Sequence, residues 1–185
     1  MQKQDLEAGV ADLIQLFDGL FADSLNTRLI AGDGEPIYLP ADEGCDYHRV
    51  VFAHGYFASV MHEVAHWCVA GPERRELEDF GYWYRPDGRT SEQQAEFEKV
   101  EVKPQAMEWH FTQASGRKFH ASADNLSGED HDDTAFRHAV SKQARDYFQH
   151  GLPERAQAWT NALQQHFGGE LTMAKFYWPD ELVAN

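Results

Sequence analysis

The stretch from Tyr56 to Ala70 admits few folds. Phe57, Val60, Met61, Val64 and Cys68 recur at helical spacing, which predicts a buried helix, and Gly71-Pro72 supplies its stop. Inside it lies His62-Glu63-Val64-Ala65-His66, an H-E-x-x-H motif. Positions i and i+4 share one helix face, so both imidazoles can reach a single metal ion. Buried polar groups need partners, so the two histidines must find hydrogen bonds or a metal. The apolar context favours the metal.

The rest of the chain sets the setting for that helix. At 185 residues the chain is long enough for a real core, and a single domain spanning residues 1–185 is expected. The formal net charge of −15 argues against a nucleic-acid partner or an anionic membrane surface. It suits a cationic substrate, although acidity also serves solubility. No run is long and apolar enough to span a bilayer, and no secretory signal is legible at the N-terminus. Cys45 and Cys68 form no disulfide framework, so a cytoplasmic setting is expected. Cys68 falls on a different helical face from His66 and reads as core.

Read along the chain, residues 3–22 form an amphipathic helix with Leu6, Val10, Leu13, Ile14, Phe17, Leu20 and Phe21 on one stripe. Asn26 to Tyr38 predicts a hairpin turning at Gly32-Asp33-Gly34, and His48 to Ala53 a strand that feeds the motif helix. Phe80 to Tyr84 is an aromatic strand or loop closed by the turn Pro86-Asp87-Gly88. Residues 91–114 read as a long helix that Pro104 should kink or break. Phe119 to Leu126 reads as a short strand or loop. Asp133 to His150 is another amphipathic helix, Pro153 to Phe167 a further one, and the aromatic tail from Met173 to Leu182 packs back on the body. The expected class is α+β, with helices packed around a small sheet and the metal site on the H-E-x-x-H helix.

A third ligand must come from a carboxylate. Glu98, Glu101, Gln105 and Glu108 make a polar stripe on the 91–114 helix, beside a partly apolar one of Phe97, Val100, Pro104 and Met107. A carboxylate at the border of those stripes can point toward a metal on a neighbouring helix. Glu101 is favoured and Glu98 is the alternative. Two histidines and one carboxylate leave coordination positions open, which is a catalytic design. With Zn²⁺ the open position holds water, and Glu63 is the general base of a metallopeptidase. With Fe(II) the same set is a 2-His-1-carboxylate triad that takes O₂. Spacing does not separate the two. After His66 the sequence runs Trp67-Cys68-Val69-Ala70-Gly71, without the third histidine of the extended zinc-peptidase motif.

Longer blocks go further than the motif. His62-Glu63-Val64-Ala65-His66-Trp67-Cys68, Arg74 to Tyr84, Pro86-Asp87-Gly88-Arg89 and Val100-Glu101-Val102-Lys103-Pro104-Gln105-Ala106 resemble the bacterial elongation factor P hydroxylase family. The likeness extends through Asp124-Asn125-Leu126, Gly151-Leu152-Pro153-Glu154-Arg155 and Phe176 to Pro179. It covers most of the chain after about residue 45.

The resemblance implies a non-haem metal-dependent enzyme that hydroxylates a lysine of translation elongation factor P, usually after that lysine has been extended with a β-lysyl group. It implies His62 and His66 as metal ligands and maps the carboxylate to Glu101. Fe(II) and O₂ are then the expected cofactors, and Glu63 is a group that orients a ligand or a bound water. A β-lysyl-lysine is strongly cationic. Glu76, Glu78 and Asp79 are candidates for an acidic rim, with Tyr82, Trp83 and Tyr84 as walls for its aliphatic stem. The rival readings are a zinc metallopeptidase and a non-enzymatic acidic interaction protein.

Overall fold

Helix α1 begins later than its apolar stripe suggests. The computed structural model describes residues 6–79, 90–122 and 132–183. In it, α1 spans Val10–Leu25 and buries Val10, Leu13, Phe17 and Phe21. Residues 6–9 precede the helix, so Leu6 falls outside it; residues 3–5 of the expected helix lie outside the described residues. Gly9 sits at φ 89°, a left-handed conformation open to glycine, and turns the chain before the helix.

The sheet also departs from expectation. Strands β1 (Thr27–Gly32) and β2 (Ile37–Leu39) follow each other in sequence, but the order is β1-β3-β2, with β3 (His48–Ala53) between them. β1 pairs with β3 in parallel, Leu29 opposite Val50 and Ala31 opposite Phe52. β2 pairs with β3 antiparallel, Tyr38 opposite Val50. The predicted β1–β2 hairpin is therefore wrong. The apolar run Val50-Val51-Phe52 explains it: Val50 and Phe52 are buried, and the central position gives that strand hydrogen-bonded neighbours on both edges.

A left-handed pair, His54 (φ 52°) and Gly55 (φ 69°), turns β3 into the motif helix α2 (Phe57–Val69). The α2 N-terminus lacks a local side-chain cap. The distant Glu7 carboxylate takes that role, accepting from the Phe57 N–H at 2.9 Å, while Arg117 binds Glu7. Phe57, Val60, Met61, Val64, Ala65, Trp67 and Cys68 are buried, and the helix ends before Gly71-Pro72 as expected.

Helix α3 (Ser91–Ala114) starts on a capping box between Thr90 and Gln93. It runs unbroken through Pro104, contrary to the expected break. Proline removes one helical hydrogen bond, but α3 packs against α2, α4 (Thr134–His150) and α5 (Glu154–Phe167), and that packing offsets the loss. Neighbours on several sides also explain why α3 has no clean polar face: Gln94, Glu101, Gln105 and His110 are all buried.

The tail forms a 3-10 turn at Met173–Phe176 and a short helix α6 at Pro179–Val183. Phe176 closes a second apolar cluster with Trp109, Phe119, Phe136 and Val140. No strand occurs between 119 and 122; residues 123–126 and the aromatic segment 80–84 with its turn lie outside the described residues. The architecture is α+β, six α-helices around a three-stranded sheet among the described residues.

One tight approach locks α3 to the chain after α5. The Gly169 N–H donates to the Ala114 carbonyl at 3.0 Å, and a Cβ at Gly169 would lie 2.2 Å from the carbonyl oxygens of Gln113 and Ala114. Backbone cannot move aside as a side chain can. Gly169→Ala is expected to destabilise the protein by about 1–3 kcal/mol, the range of core overpacking. A urea melt matching wild type would contradict this.

Candidate metal centre

His62 and His66 lie one turn apart on α2, on the side that faces α3. Their Nε2 atoms are 3.0 Å apart. Glu101 of α3 is buried and reaches between them: one carboxylate oxygen lies 3.2 Å from His66 Nε2, the other 3.9 Å from His62 Nε2. These three side chains present one ligand atom each within 4.8 Å of one another.

Neighbouring side chains hold this arrangement. Glu108, two turns beyond Glu101 on α3, lies 2.9 Å from His62 Nδ1. A carboxylate there binds an Nδ1–H, which leaves the Nε2 lone pair turned toward His66 and Glu101. Gln105 donates to Glu101 at 3.3 Å and to the Ser122 carbonyl at 2.7 Å, and accepts from the Ser122 N–H at 3.1 Å. Glu108 and Gln105 belong to the polar stripe of the 91–114 helix, where spacing alone gives neither a role. Their signal was there: positions 101, 105 and 108 repeat at four and three residues, opposite a helix that carries two histidines.

The donor set suits a divalent cation. Two imidazole nitrogens and a carboxylate oxygen converge at 3.0–3.9 Å. Ligands set at right angles with bonds of about 2.1 Å stand about 3 Å apart, so an ion of this size fits among them without rearrangement. Two lone-pair nitrogens facing each other have no mutual hydrogen bond to make, so without an ion a proton must sit between them.

Electrostatics say the same. Burial alone would push the His62 pKa down. The Glu108 hydrogen bond and the charges of Glu108, Glu101 and Glu63 overcome it and raise His62 to about 10. Burial works to raise Glu101, but the charge and hydrogen bond of His66, with His62 and Gln105, bring it down to about 2. A metal must displace the His62 proton, so affinity should climb as pH rises toward 10.

Stability should follow the opposite course in the metal-free protein. A histidine whose folded pKa lies above its unfolded value of 6.5 contributes stability that is complete below pH 6.5 and lost as pH rises through about 10. The metal-free melting temperature should fall across that window, less steeply in Glu108→Gln. An identical slope in the two proteins would contradict this assignment. Glu108→Gln should also weaken metal binding about 10–100-fold, the usual effect of losing a partner behind a ligand histidine. Isothermal titration with Mn²⁺ would measure it.

The site opens onto a pocket of about 400 Å³ lined by His66, Glu63, Trp67, Tyr38, Val50 and Pro104, among others. Burial raises the Glu63 carboxyl above the ordinary carboxylate range, against the pull of His62 and His66. Asp79 lines the same pocket, ion-paired to Arg74 and bridged through its backbone to Tyr38. Glu78 is exposed on an adjoining shallow depression with Glu73 and Leu77, and Glu76 is exposed on the 3-10 turn Arg74–Glu76. Tyr82, Trp83 and Tyr84 lie outside the described residues. Glu98 is half-buried, accepts from Gln94 at 3.1 Å and does not join the convergent group. Cys68 is buried away from the ligands, its thiol pushed by burial up to about 12.

The comparisons with known proteins address the same chain. The family profile for elongation factor P hydroxylase matches residues 16–176. A relative from Haemophilus influenzae, described as an elongation factor P lysine hydroxylase, is 49% identical over 173 residues, covering 92% of this chain and 97% of the relative. The match takes in both helices that carry the three converging side chains. With the profile matching residues 16–176 and a relative 49% identical over 92% of the chain's length, this chain belongs to the elongation factor P hydroxylase family.

Proposed function

We propose that this protein hydroxylates a lysine side chain of translation elongation factor P, in its β-lysylated form, using Fe(II) held by His62, His66 and Glu101 and O₂ as oxidant. The observation that carries the reading is the convergence of two Nε2 atoms and one carboxylate, with His66 on the wall of a pocket, in a chain of this family. Bound iron supplies the activation of O₂ that oxidation of an unactivated C–H bond requires.

The protein's own residues do the rest. Glu108 keeps His62 in the tautomer that offers Nε2, and Gln105, clamped on Ser122, keeps Glu101 from swinging away. Trp67, Tyr38, Val50 and Pro104 give the pocket apolar walls for an alkyl stem, which fixes the reacting carbon in place. Glu63, beside His66 on the pocket wall, is suited to orient an ammonium group or a water. Asp79 and Glu78 extend the acidic character outward, and Tyr82 is the proposed aromatic wall. The net charge of −15 favours encounter with a cationic side chain and disfavours nucleic acid. No helix among the described residues is long and apolar enough to cross a membrane, and the proposed site of action is the cytoplasm, where the substrate works. Residues 1–185 are proposed to act as one domain.

The metallopeptidase alternative makes Glu63 a base acting on zinc-bound water. The family match gives it no support. The deciding experiment incubates Fe(II)-loaded protein with β-lysylated elongation factor P in air and under nitrogen and reads intact mass. The expected result is one added oxygen atom in air alone. No gain with iron present would overturn the reading.

A further inference from the structure

Among the described residues, four arginines bury a guanidinium nitrogen that has no hydrogen-bond partner: Arg49, Arg75, Arg137 and Arg155. Two are otherwise accounted for. Arg49 pairs with Asp42 at 2.6 Å and Arg137 with Asp180 at 2.9 Å. Arg75 and Arg155 pair with no carboxylate among the described residues. The chain has 31 acidic side chains and 16 lysines and arginines, so carboxylates are in surplus. Two guanidinium groups left without one are informative.

Both lie by Trp67 and Ala70: Arg75 lines a pocket with them, and Arg155 packs on the ring and binds the Ala70 carbonyl. Arg155 donates to the carbonyls of Cys68 and Ala70 and lies 4.5 Å over the Trp67 ring, with its Nη1 buried and unbonded. Among the described residues the Arg75 side chain has no hydrogen-bond partner, and its Nε is buried. Both charges act on the Tyr38 phenol, and Arg75 repels Arg155. The Trp67 indole N–H is buried and unbonded as well. Arg75, Trp67 and Tyr38 line the same pocket as His66 and Glu63. Adjacent like charges with unused donors are stabilised by an anion that accepts from them.

We propose that the Arg75 side of this pocket, with the Arg155 charge behind its wall, binds the carboxylate of a small two-electron donor. A carboxylate matches the guanidinium fork better than a halide does. The role as donor, though not the anion site itself, rests on the hydroxylase reading. Converting C–H to C–OH gives O₂ two electrons. The second oxygen atom becomes water only with two more electrons and two protons, and the donor assigned to this site supplies them: R–H plus O₂ plus reduced donor yields R–OH, water and oxidised donor.

Binding is tested without turnover. Fe(II)-loaded protein under nitrogen is titrated with succinate at constant ionic strength, with chloride and neutral succinamide as controls, and binding is followed by thermal shift. Succinate should stabilise the wild type and succinamide should not. Arg75→Gln should weaken succinate by about tenfold or more at unchanged iron content, and Arg75→Lys, which keeps the charge and loses the fork, should fall between. Equal succinate affinity in wild type and Arg75→Gln would overturn the proposal, since the anion would then be held elsewhere, by the metal included. If succinate fails to bind while Arg75→Gln weakens binding of elongation factor P, the anion is a carboxylate of the protein substrate and the small-donor proposal falls. Neither result bears on the mass measurement, so the hydroxylase reading stands or fails separately.

Discussion

His66→Ala is expected to lose Fe(II) and lysine hydroxylation together, each by more than about 100-fold. The scale follows from what surrounds the residue. Losing a partner behind a ligand already lowers metal affinity about 10–100-fold, and His66 is proposed as a ligand itself. Its Nε2 is the atom nearest both other donors, 3.0 Å from His62 and 3.2 Å from Glu101. Removing it leaves one imidazole and one carboxylate, two donors where three converge. The fold should survive, because His66 is half-buried and the α2 core face consists of other residues. Iron content, turnover and circular dichroism on one preparation check the claim. Normal helix content with both functions gone is the expected outcome; retained turnover would remove His66 from the site.

The second large effect separates Glu101 from Glu98. Glu101→Gln should also cost more than about 100-fold in iron affinity, while Glu98→Gln stays within about threefold. Both are glutamates on α3, one turn apart, and the sequence favoured the first only narrowly. Burial and direction distinguish them. Glu101 is 3% exposed, aims at both histidines and is held by Gln105. Glu98 is half-buried, accepts from Gln94 and lies outside the converging group. A glutamine at 101 retains a carbonyl oxygen but not the negative charge that offsets a dication. Metal titration of both variants decides it, and equal affinities would contradict the assignment.

Much of this was legible in the chain because helices write their faces into sequence at short range. The α2 stripe and its stop at Gly71-Pro72 could be read directly, and so could the polar positions 98, 101, 105 and 108. What could not be read is which of those positions face a neighbour. α3 is covered on several sides, so its polar stripe is buried, whereas spacing alone makes it look solvated. The same coverage keeps the helix continuous through Pro104, where local propensity argues for a break. The β1–β2 hairpin failed for a related reason. Turn residues at Gly32 to Gly34 are a local signal, and the pairing of β1 with β3 is a long-range one that the apolar β3 strand wins. Gly9 shortens α1 through a backbone conformation that no apolar stripe reveals. The Glu7 cap on α2 joins residues 50 positions apart, beyond any motif.

The most direct test of the account is anomalous diffraction at the iron edge from crystals grown with Fe(II) under nitrogen. The account predicts a single strong peak bounded by His62 Nε2, His66 Nε2 and the Glu101 carboxylate, and no such peak in Glu101→Gln. A fully occupied iron elsewhere, with these three side chains bonded only to one another, would contradict it.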